Sequence, residues 1–307
     1  MKKILVLLLI AFVVLTACGN KDNSKNKSSN KSSDNKQTKT FTQNDGTKVK
    51  IPKDPKRIVV LHPTYIGALV KFNHKPVGVI DFVKKNKTLD KATKGVKRVG
   101  QTDIEQIAQT KPDLIITSKE DKNIKKLKKI APTVQFDSKK SNYKETTIQL
   151  GEIVNEKAKA KKWVKDWNHQ MAQDKEKLGE KIKDKTITAV QSTPKGLVAF
   201  GKSLGRGTEI VYDGYGMQMP KALEDKVHNS YNAQISQENL TTYTGDYIIL
   251  ATNGDKPAFT KTNNWQNLNA VKKGHVITLD ASDTTYNDPI SLEKQRKIIL
   301  KQLNNMK

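Results

Sequence analysis

Beyond its first forty residues the chain alternates between short, nearly continuous apolar runs and stretches whose apolar positions repeat at helical spacing. Arg57–Leu61 and Val77–Ile80 read as strands around a helix at Thr64–Phe72. Asp103–Gln109 reads as a short helix, Leu114–Thr117 as a buried strand, Lys122–Ile130 as a helix and Thr133–Phe136 as a further strand. The pattern restarts after Asp184, with strand candidates at Thr186–Val190, Leu197–Phe200, Tyr247–Ala251 and Val276–Leu279 and a lysine-rich amphipathic helix at Leu292–Leu303. Such alternation predicts mainly parallel sheets with helices on both faces. Between the two stretches, residues 152–178 contain neither glycine nor proline and place Ala160, Val164, Trp167, Met171, Leu178 and Ile182 at helical spacing, with Trp163 beside them. The spacing predicts one uninterrupted helix, about 40 Å long at 1.5 Å per residue, with the two tryptophans as a core stripe facing both lobes. The expected organisation is an N-terminal α/β lobe at 41–155, a rigid linking helix at 156–183 and a C-terminal α/β lobe at 184–307.

An internal echo supports two lobes of one design. Glu105-Gln106-Ile107 leads through five residues to Asp113-Leu114-Ile115-Ile116-Thr117, and Glu238-Asn239-Leu240 leads through five to Asp246-Tyr247-Ile248-Ile249-Leu250. Each unit has a glutamate near the start of a short helix, then a loop, then an aspartate opening a buried strand, which points to a duplicated architecture.

The lead segment sets the compartment. Lys2 and Lys3 precede an apolar run from Ile4 to Leu15, the pattern of a secretory signal and too short for a permanent span. The run ends in Leu15-Thr16-Ala17-Cys18-Gly19, which resembles the bacterial lipoprotein cleavage box: residues 1–17 would be removed and Cys18, the single cysteine of the chain, lipidated. Acyl chains there would hold the protein on the extracellular face of the cell membrane. One thiol excludes an intramolecular disulfide framework and any CxxC metal site. Residues 19–40 hold six lysines, two aspartates, five asparagines, five serines and no hydrophobic residue, so residues 18–40 are expected to be a disordered, lipidated tether.

The chain of 307 residues carries 56 basic against 31 acidic residues, a net +25, with only four arginines. The lysines are scattered, without aromatic interleaving or a helix-turn-helix pattern, and the chain is exported; nucleic acid is therefore not expected as a partner, and the charge reads as a solvated surface.

Seven local patterns, in order from residue 45 to 289, resemble the substrate-binding lipoproteins of ferric siderophore importers, and among them the Gram-positive ferric hydroxamate receptors. They are Asp45-Gly46 before Ile51-Pro52-Lys53-Asp54-Pro55-Lys56-Arg57-Ile58-Val59; His62-Pro63-Thr64-Tyr65; Lys111-Pro112-Asp113-Leu114-Ile115; Gly205-Arg206-Gly207; Gly245-Asp246-Tyr247-Ile248; Trp265 with Leu268, Ala270, Val271 and Gly274; and Tyr286-Asn287-Asp288-Pro289. The resemblance implies a class III periplasmic-binding-protein-like fold, two α/β lobes joined by a long rigid helix. It implies a monomer that captures a ferric hydroxamate between its lobes and delivers it to an ABC permease driven by a cytoplasmic ATPase.

A ferric hydroxamate arrives with its iron already wrapped in oxygen ligands, so no cofactor and no protein metal ligands are expected, only aromatic walls and a few donors. The five histidines show no metal-ligand spacing. Arg206, between two glycines after a predicted strand, can present several donors to hydroxamate oxygens, and in the resembled family an arginine at this motif contacts the siderophore; the plainer reading is a turn arginine paired with a surface carboxylate. Tyr65 and Tyr286 fall at lobe edges that would face a cleft, or else bury their rings as core. Phe200 and Phe82 are weaker candidates of the same kind, and His62 lies in a strand-to-helix turn that could line the cleft. The sequence departs from the family at two places, Leu204 and Thr285, where aromatic residues are expected; lost stacking there implies weaker affinity or an altered ligand range. Glu105 and Glu238 match the glutamates that dock each lobe onto permease arginines, or serve only the dipole of a helix start.

No GxSxG elbow, HExxH pair, P-loop or dinucleotide fingerprint is present, so an enzyme is not expected. The alternatives are a receptor for another iron chelate, such as a catecholate or haem, or a non-transport lipoprotein of foldase or adhesin type.

Overall fold

The computed structural model describes residues 37–193, 196–228 and 230–307. The signal-like run, Cys18 and the polar stretch through residue 36 lie outside them. Thr38-Lys39-Thr40, expected within the disordered tether, instead belongs to β1 (Thr38–Thr42), which pairs antiparallel with β2 (Lys48–Pro52). Phe41 and Ile51, both buried, pin this hairpin to the core of the first lobe.

The first lobe alternates β3 (Ile58–Val60), α1 (Ile66–Lys71), β4 (Gly78–Ile80), α2 (Lys87–Ala92), β5 (Lys97–Val99), α3 (Ile104–Gln109), β6 (Leu114–Ser118), α4 (Ile124–Leu127), β7 (Thr133–Phe136) and α5 (Tyr143–Ile153). Its sheet has the order β5-β4-β3-β6-β7 with every pair parallel. Apolar runs are continuous because both faces are covered: Ile58, Val60, Leu114 and Ile116 enter one core, and Val59, Leu61 and Ile115 the core on the other face.

The expected 27-residue helix is broken. After α5 the chain turns through Val154-Asn155-Glu156, with Asn155 left-handed at φ +62°, and restarts as α6 (Lys157–Leu178), 22 residues or about 33 Å long. The break is held from a distance: Lys39 Nζ donates to Glu152 O and Asn155 Oδ1 at 2.8 and 2.7 Å, and Asn155 Nδ2 donates to Lys53 O at 3.0 Å. On α6, Ala160 enters the first lobe's core, whereas Trp163, Trp167, Met171 and Leu178 enter the second lobe's. The tryptophan rings stack 5.5 Å apart.

The second lobe comprises β8 (Ile187–Thr193), β9 (Gly196–Phe200), a single π-helical turn at Glu209–Gly214, α7 (Lys221–Val227), β10 (Asn232–Ile235), α8 (Leu240–Tyr243), β11 (Tyr247–Thr252), α9 (Asn263–Gln266), α10 (Asn269–Lys272), β12 (Val276–Asp280), α11 (Ala281–Thr284) and α12 (Pro289–Asn305). Its sheet, β10-β9-β8-β11-β12, is mixed rather than mainly parallel: β8, β11 and β12 run parallel, while β9 is antiparallel to both neighbours. The connection from β8 to β9 is too short for a parallel crossover.

The echo is structural. Asp113 accepts from Lys56 N and Arg57 N at 2.8 and 2.9 Å, just ahead of β3, which pairs with β6. Asp246 accepts from Thr186 N and Oγ1, both at 2.9 Å, just ahead of β8, which pairs with β11. Each aspartate ties down the backbone at the entry of the neighbouring strand.

Beyond α6 the lobes meet along α1, α2, α11 and α12. Lys87 pairs with Asp280 at 2.9 Å, Thr88 Oγ1 donates to Asp283 at 2.9 Å, and Lys71 pairs with Glu293 at 2.8 Å. A Cβ at Gly67 of α1 would fall 1.7 Å from Asp288 Oδ1, so only glycine permits this approach. No helix among the described residues is long and apolar enough to cross a membrane.

Candidate functional site

The chain leaves an open cleft of about 900 Å³ between the lobes. Its first-lobe wall is built where β3, β6 and β7 end, by His62, Thr64 and Tyr65, Ser118 and Glu120, and Phe136, Ser138–Tyr143 and Glu145, as expected at the carboxyl ends of parallel strands. The facing wall comes from Lys202–Leu204, Arg206, His228, Ser230, Tyr231 and Thr285–Asp288, while Asn229 is not described. Ser138 Oγ and Tyr231 OH, 3.3 Å apart, join the two walls across the cleft.

Arg206 lies on this wall, at φ +55° between Gly205 at +69° and Gly207 at +83°. The strained turn is imposed by its neighbours. Arg206 N donates to Thr284 O at 2.7 Å, and a Cβ on Gly205 would fall 2.1 Å from Thr285 O, so glycine is required. Gly205 N donates to both oxygens of the buried Glu209 at 3.0 and 3.1 Å, a carboxyl that burial pushes above its ordinary range.

The guanidinium lies 4.2 Å over the Phe200 ring, donates from Nε to Gln191 Oε1 at 2.7 Å and from Nη1 to Leu204 O at 2.8 Å, while Nη2 has no partner among the described residues. It is therefore no surface salt-bridge arginine: it is stacked and aimed, with one donor edge left over. Burial pulls its pKa down to about 10, which leaves it charged at neutral pH.

Tyr286, beside Arg206, packs against the core of the opposite lobe, and burial pushes its phenol up to about 12, so it stays a neutral donor. Tyr65, 4% exposed, lies 4.8 Å from the His62 ring and 4.9 Å from Phe136, and burial raises its phenol further still. Its ring is core and its edge is cleft, so the two readings of this tyrosine hold together. His62 is half-buried, its Nδ1 sealed from solvent and unpartnered among the described residues, and burial lowers its pKa to about 4. Leu204 leans on the second lobe's core, and the Thr285 hydroxyl is taken up by Ala281 O; neither offers a ring to the cleft.

Two expected candidates fall elsewhere. Phe82, 47% exposed, is absent from the cleft walls because β4 is separated from β6 and β7 by β3. Phe200 is buried beneath Arg206 rather than lining the cleft. Glu105 stands exposed in the first turn of α3, after the N-cap Asp103. Glu238 is also exposed but does not begin a helix: it lies in the turn two residues before α8, where bonds from its own backbone and Ser236 hold its carboxyl below the usual range.

Sequence reasoning missed Phe136, Tyr143 and Tyr231, the rim lysines Lys139, Lys140 and Lys202, and the supports Gln191 and Glu209. Only Phe136 carried a signal, as the last residue of a predicted strand. Tyr143 OH donates to Asp213 Oδ2 at 3.1 Å and accepts from Trp167 Nε1 at 2.7 Å, tying the cleft to the linking helix.

Residues 58–282 match the family model described as periplasmic binding protein. Over 305 residues the chain is 38% identical to the iron(3+)-hydroxamate-binding protein FhuD of Bacillus subtilis (strain 168), covering 97% of this chain and 95% of that one. Among solved structures, the FhuD protein from S. pseudintermedius superposes with a TM-score of 0.83 at 42% identity, covering 88% of this chain and 99% of that one. FhuD2 from Staphylococcus aureus with bound ferrioxamine B superposes at 0.78 with 37% identity, covering 81% and 98%. With the two-lobed fold and the cleft in place, these matches make the chain a member of the periplasmic binding protein family.

Proposed function

We propose that this chain captures ferric hydroxamate siderophores in the interlobe cleft and hands them to an ABC permease. The observation that carries the reading is Arg206: a half-buried, stacked and still charged guanidinium on the cleft wall, whose Nη2 has no partner among the described residues, in a cleft edged by Tyr65 and Tyr286. A chelate that presents anionic oxygens around iron needs such a donor and aromatic edges, and no ligand atoms from the protein. The named relatives, a hydroxamate-binding protein and a receptor holding ferrioxamine B, support the same ligand class. Leu204 and Thr285 supply no stacking surface, so the chelate is gripped more by hydrogen bonds than by rings.

Glu105 and Glu238, one on each lobe, are exposed carboxylates fit to meet basic permease residues. Cys18 serves as the lipid anchor that keeps the monomeric receptor on the outer face of the membrane, and Cys18→Ser abolishing palmitate incorporation is its test.

The decisive experiment is a tryptophan-fluorescence titration with a panel of ferric siderophores, with Trp163, Trp167 and Trp265 as reporters. Saturable quenching by ferrichrome-like or ferrioxamine-like chelates is expected. Arg206→Ala should weaken it by about 1.5 to 3 kcal/mol, the range for hydrogen bonds to charged groups, with the fold intact. Saturation with haem or a catecholate alone overturns the substrate class, and an unchanged dissociation constant removes Arg206 from the site.

A further inference from the structure

Arg206 and Tyr286 lie on loops eighty residues apart, and one buried side chain joins them. Gln295, on the second turn of α12, is 0% exposed and is not part of the cleft wall. Its Oε1 accepts from Gly207 N at 2.7 Å, and its Nε2 donates to Tyr286 O at 2.6 Å. The two partners fix which end of the amide is which, since an N–H needs the oxygen and a carbonyl needs the nitrogen. A carboxylate would oppose the Tyr286 carbonyl, and an apolar side chain would bond neither loop.

The other ties between the loops are Arg206 N donating to Thr284 O at 2.7 Å, the guanidinium's Nη1 reaching Thr285 O at 3.4 Å, and the Asn287 side chain bonding the Glu209 carboxyl that also holds Gly205 N. They hold the start of the arginine turn. Gln295 holds its exit, where Gly207 leaves the left-handed run, and so closes a ring through Arg206, Gly207, Gln295, Tyr286 and Thr285. A non-glycine residue at φ +55° keeps that conformation only while its surroundings impose it. Freed at Gly207, the turn can relax, and the guanidinium loses its fixed distance from the Tyr286 phenol.

We propose that Gln295 is a positioning residue for ferric hydroxamate binding: it sets the separation of Arg206 and Tyr286 and thereby the affinity, without touching the ligand. The inference rests on the function proposed above. Its basis is preorganisation, because a donor held in place before the chelate arrives costs no ordering at binding.

The test is a double-mutant cycle on the full mature chain, titrated with ferrichrome and ferrioxamine B and followed by thermal melts. Gln295→Met keeps the volume and removes both bonds. Binding should weaken roughly tenfold in the wild-type background, the weight of one charge-assisted hydrogen bond, and less than about twofold once Arg206 is alanine. The melting temperature should fall by the same amount in both backgrounds. That contrast separates positioning from plain stability, which would act alike with or without the arginine. Should the methionine variant fold poorly, Gln295→Asn keeps the amide but is one methylene too short to reach both loops; it is expected to weaken binding only while Arg206 is present. Equal losses in the two backgrounds, or wild-type affinity in the variants, overturn the inference while leaving the functional reading intact. Failure of the wild-type protein to bind either chelate overturns both.

Discussion

His62 and Asp288 both line the cleft, and their protonation pulls stability in opposite directions. Burial lowers His62 from 6.5 to about 4, with Glu120 opposing weakly. Burial raises Asp288 from 3.8 to about 6, although Ile290 N and Ser291 N donate to it at 3.0 and 3.2 Å; its Oδ2 is sealed without a partner among the described residues. Between pH 4 and 6.5 the unfolded chain holds the extra proton on His62, so that residue's contribution is full above 6.5 and lost as pH falls toward 4. Between pH 3.8 and 6 the folded chain holds the extra proton on Asp288, so its contribution is full at the acid end and lost as pH rises. Gaps of about 2.5 and 2.2 pH units at about 1.36 kcal/mol each make either swing up to about 3 kcal/mol, with the histidine value an upper bound because part of its ring meets solvent. The two swings nearly cancel in the wild type.

Asp288→Asn, which keeps a good N-cap, should match the wild type near pH 4 and exceed it by up to about 3 kcal/mol at pH 7. His62→Phe keeps a ring against Tyr65. Apart from a constant packing offset, it should match the wild type at pH 7 and exceed it by a similar margin at pH 4. Urea unfolding at unit steps from pH 4 to 7 reads both differences, and the surface carboxylates drop out because every chain shares them. Variant-minus-wild-type differences that stay constant within about 0.5 kcal/mol across that range would refute the assignment of these two buried groups.

Gly67→Ala would set a methyl on Asp288 Oδ1; it is expected to cost about 1 to 3 kcal/mol in denaturant unfolding, and a change near zero would mean that α1 and α12 are not in close contact. Leu204→Trp should restore a stacking surface beside Arg206 and tighten ferric hydroxamate binding by about 0.5 to 1.5 kcal/mol in the fluorescence titration; weaker binding would show that the leucine's packing matters more than the missing ring. Glu105→Ala combined with Glu238→Ala should abolish uptake of labelled ferric siderophore while affinity and thermal stability barely change. Normal uptake with a small loss of stability would leave these carboxylates with a local structural role only.

The sequence by itself determined the two lobes, because strands covered on both faces must be continuously apolar and helices must repeat near 3.6; Leu114–Ile116 and Ile248–Leu250 could hardly be anything else. It also determined the matched aspartates, the helical spacing of the two tryptophans, though not that both enter the second lobe's core rather than facing both lobes, and that Arg206 sits between two glycines after a strand. The hairpin at Thr38–Pro52 and the strand at Lys97–Val99 were hidden because half-exposed strands carry polar side chains. Tertiary structure alone decided where the long helix breaks, since Asn155 is held by Lys39 and Lys53, about a hundred residues away. It decided that Phe82 faces solvent, through strand order, and that Phe200 supports an arginine instead of a ligand. Most of all it decided the roles of Gln191, Glu209 and Gln295. In sequence a glutamine or glutamate reads as solvated surface, and only the folded chain turns each into a fixed partner: Gln191 of the Arg206 guanidinium, Glu209 of the Gly205 N–H, and Gln295 of backbone groups on two loops far apart in sequence.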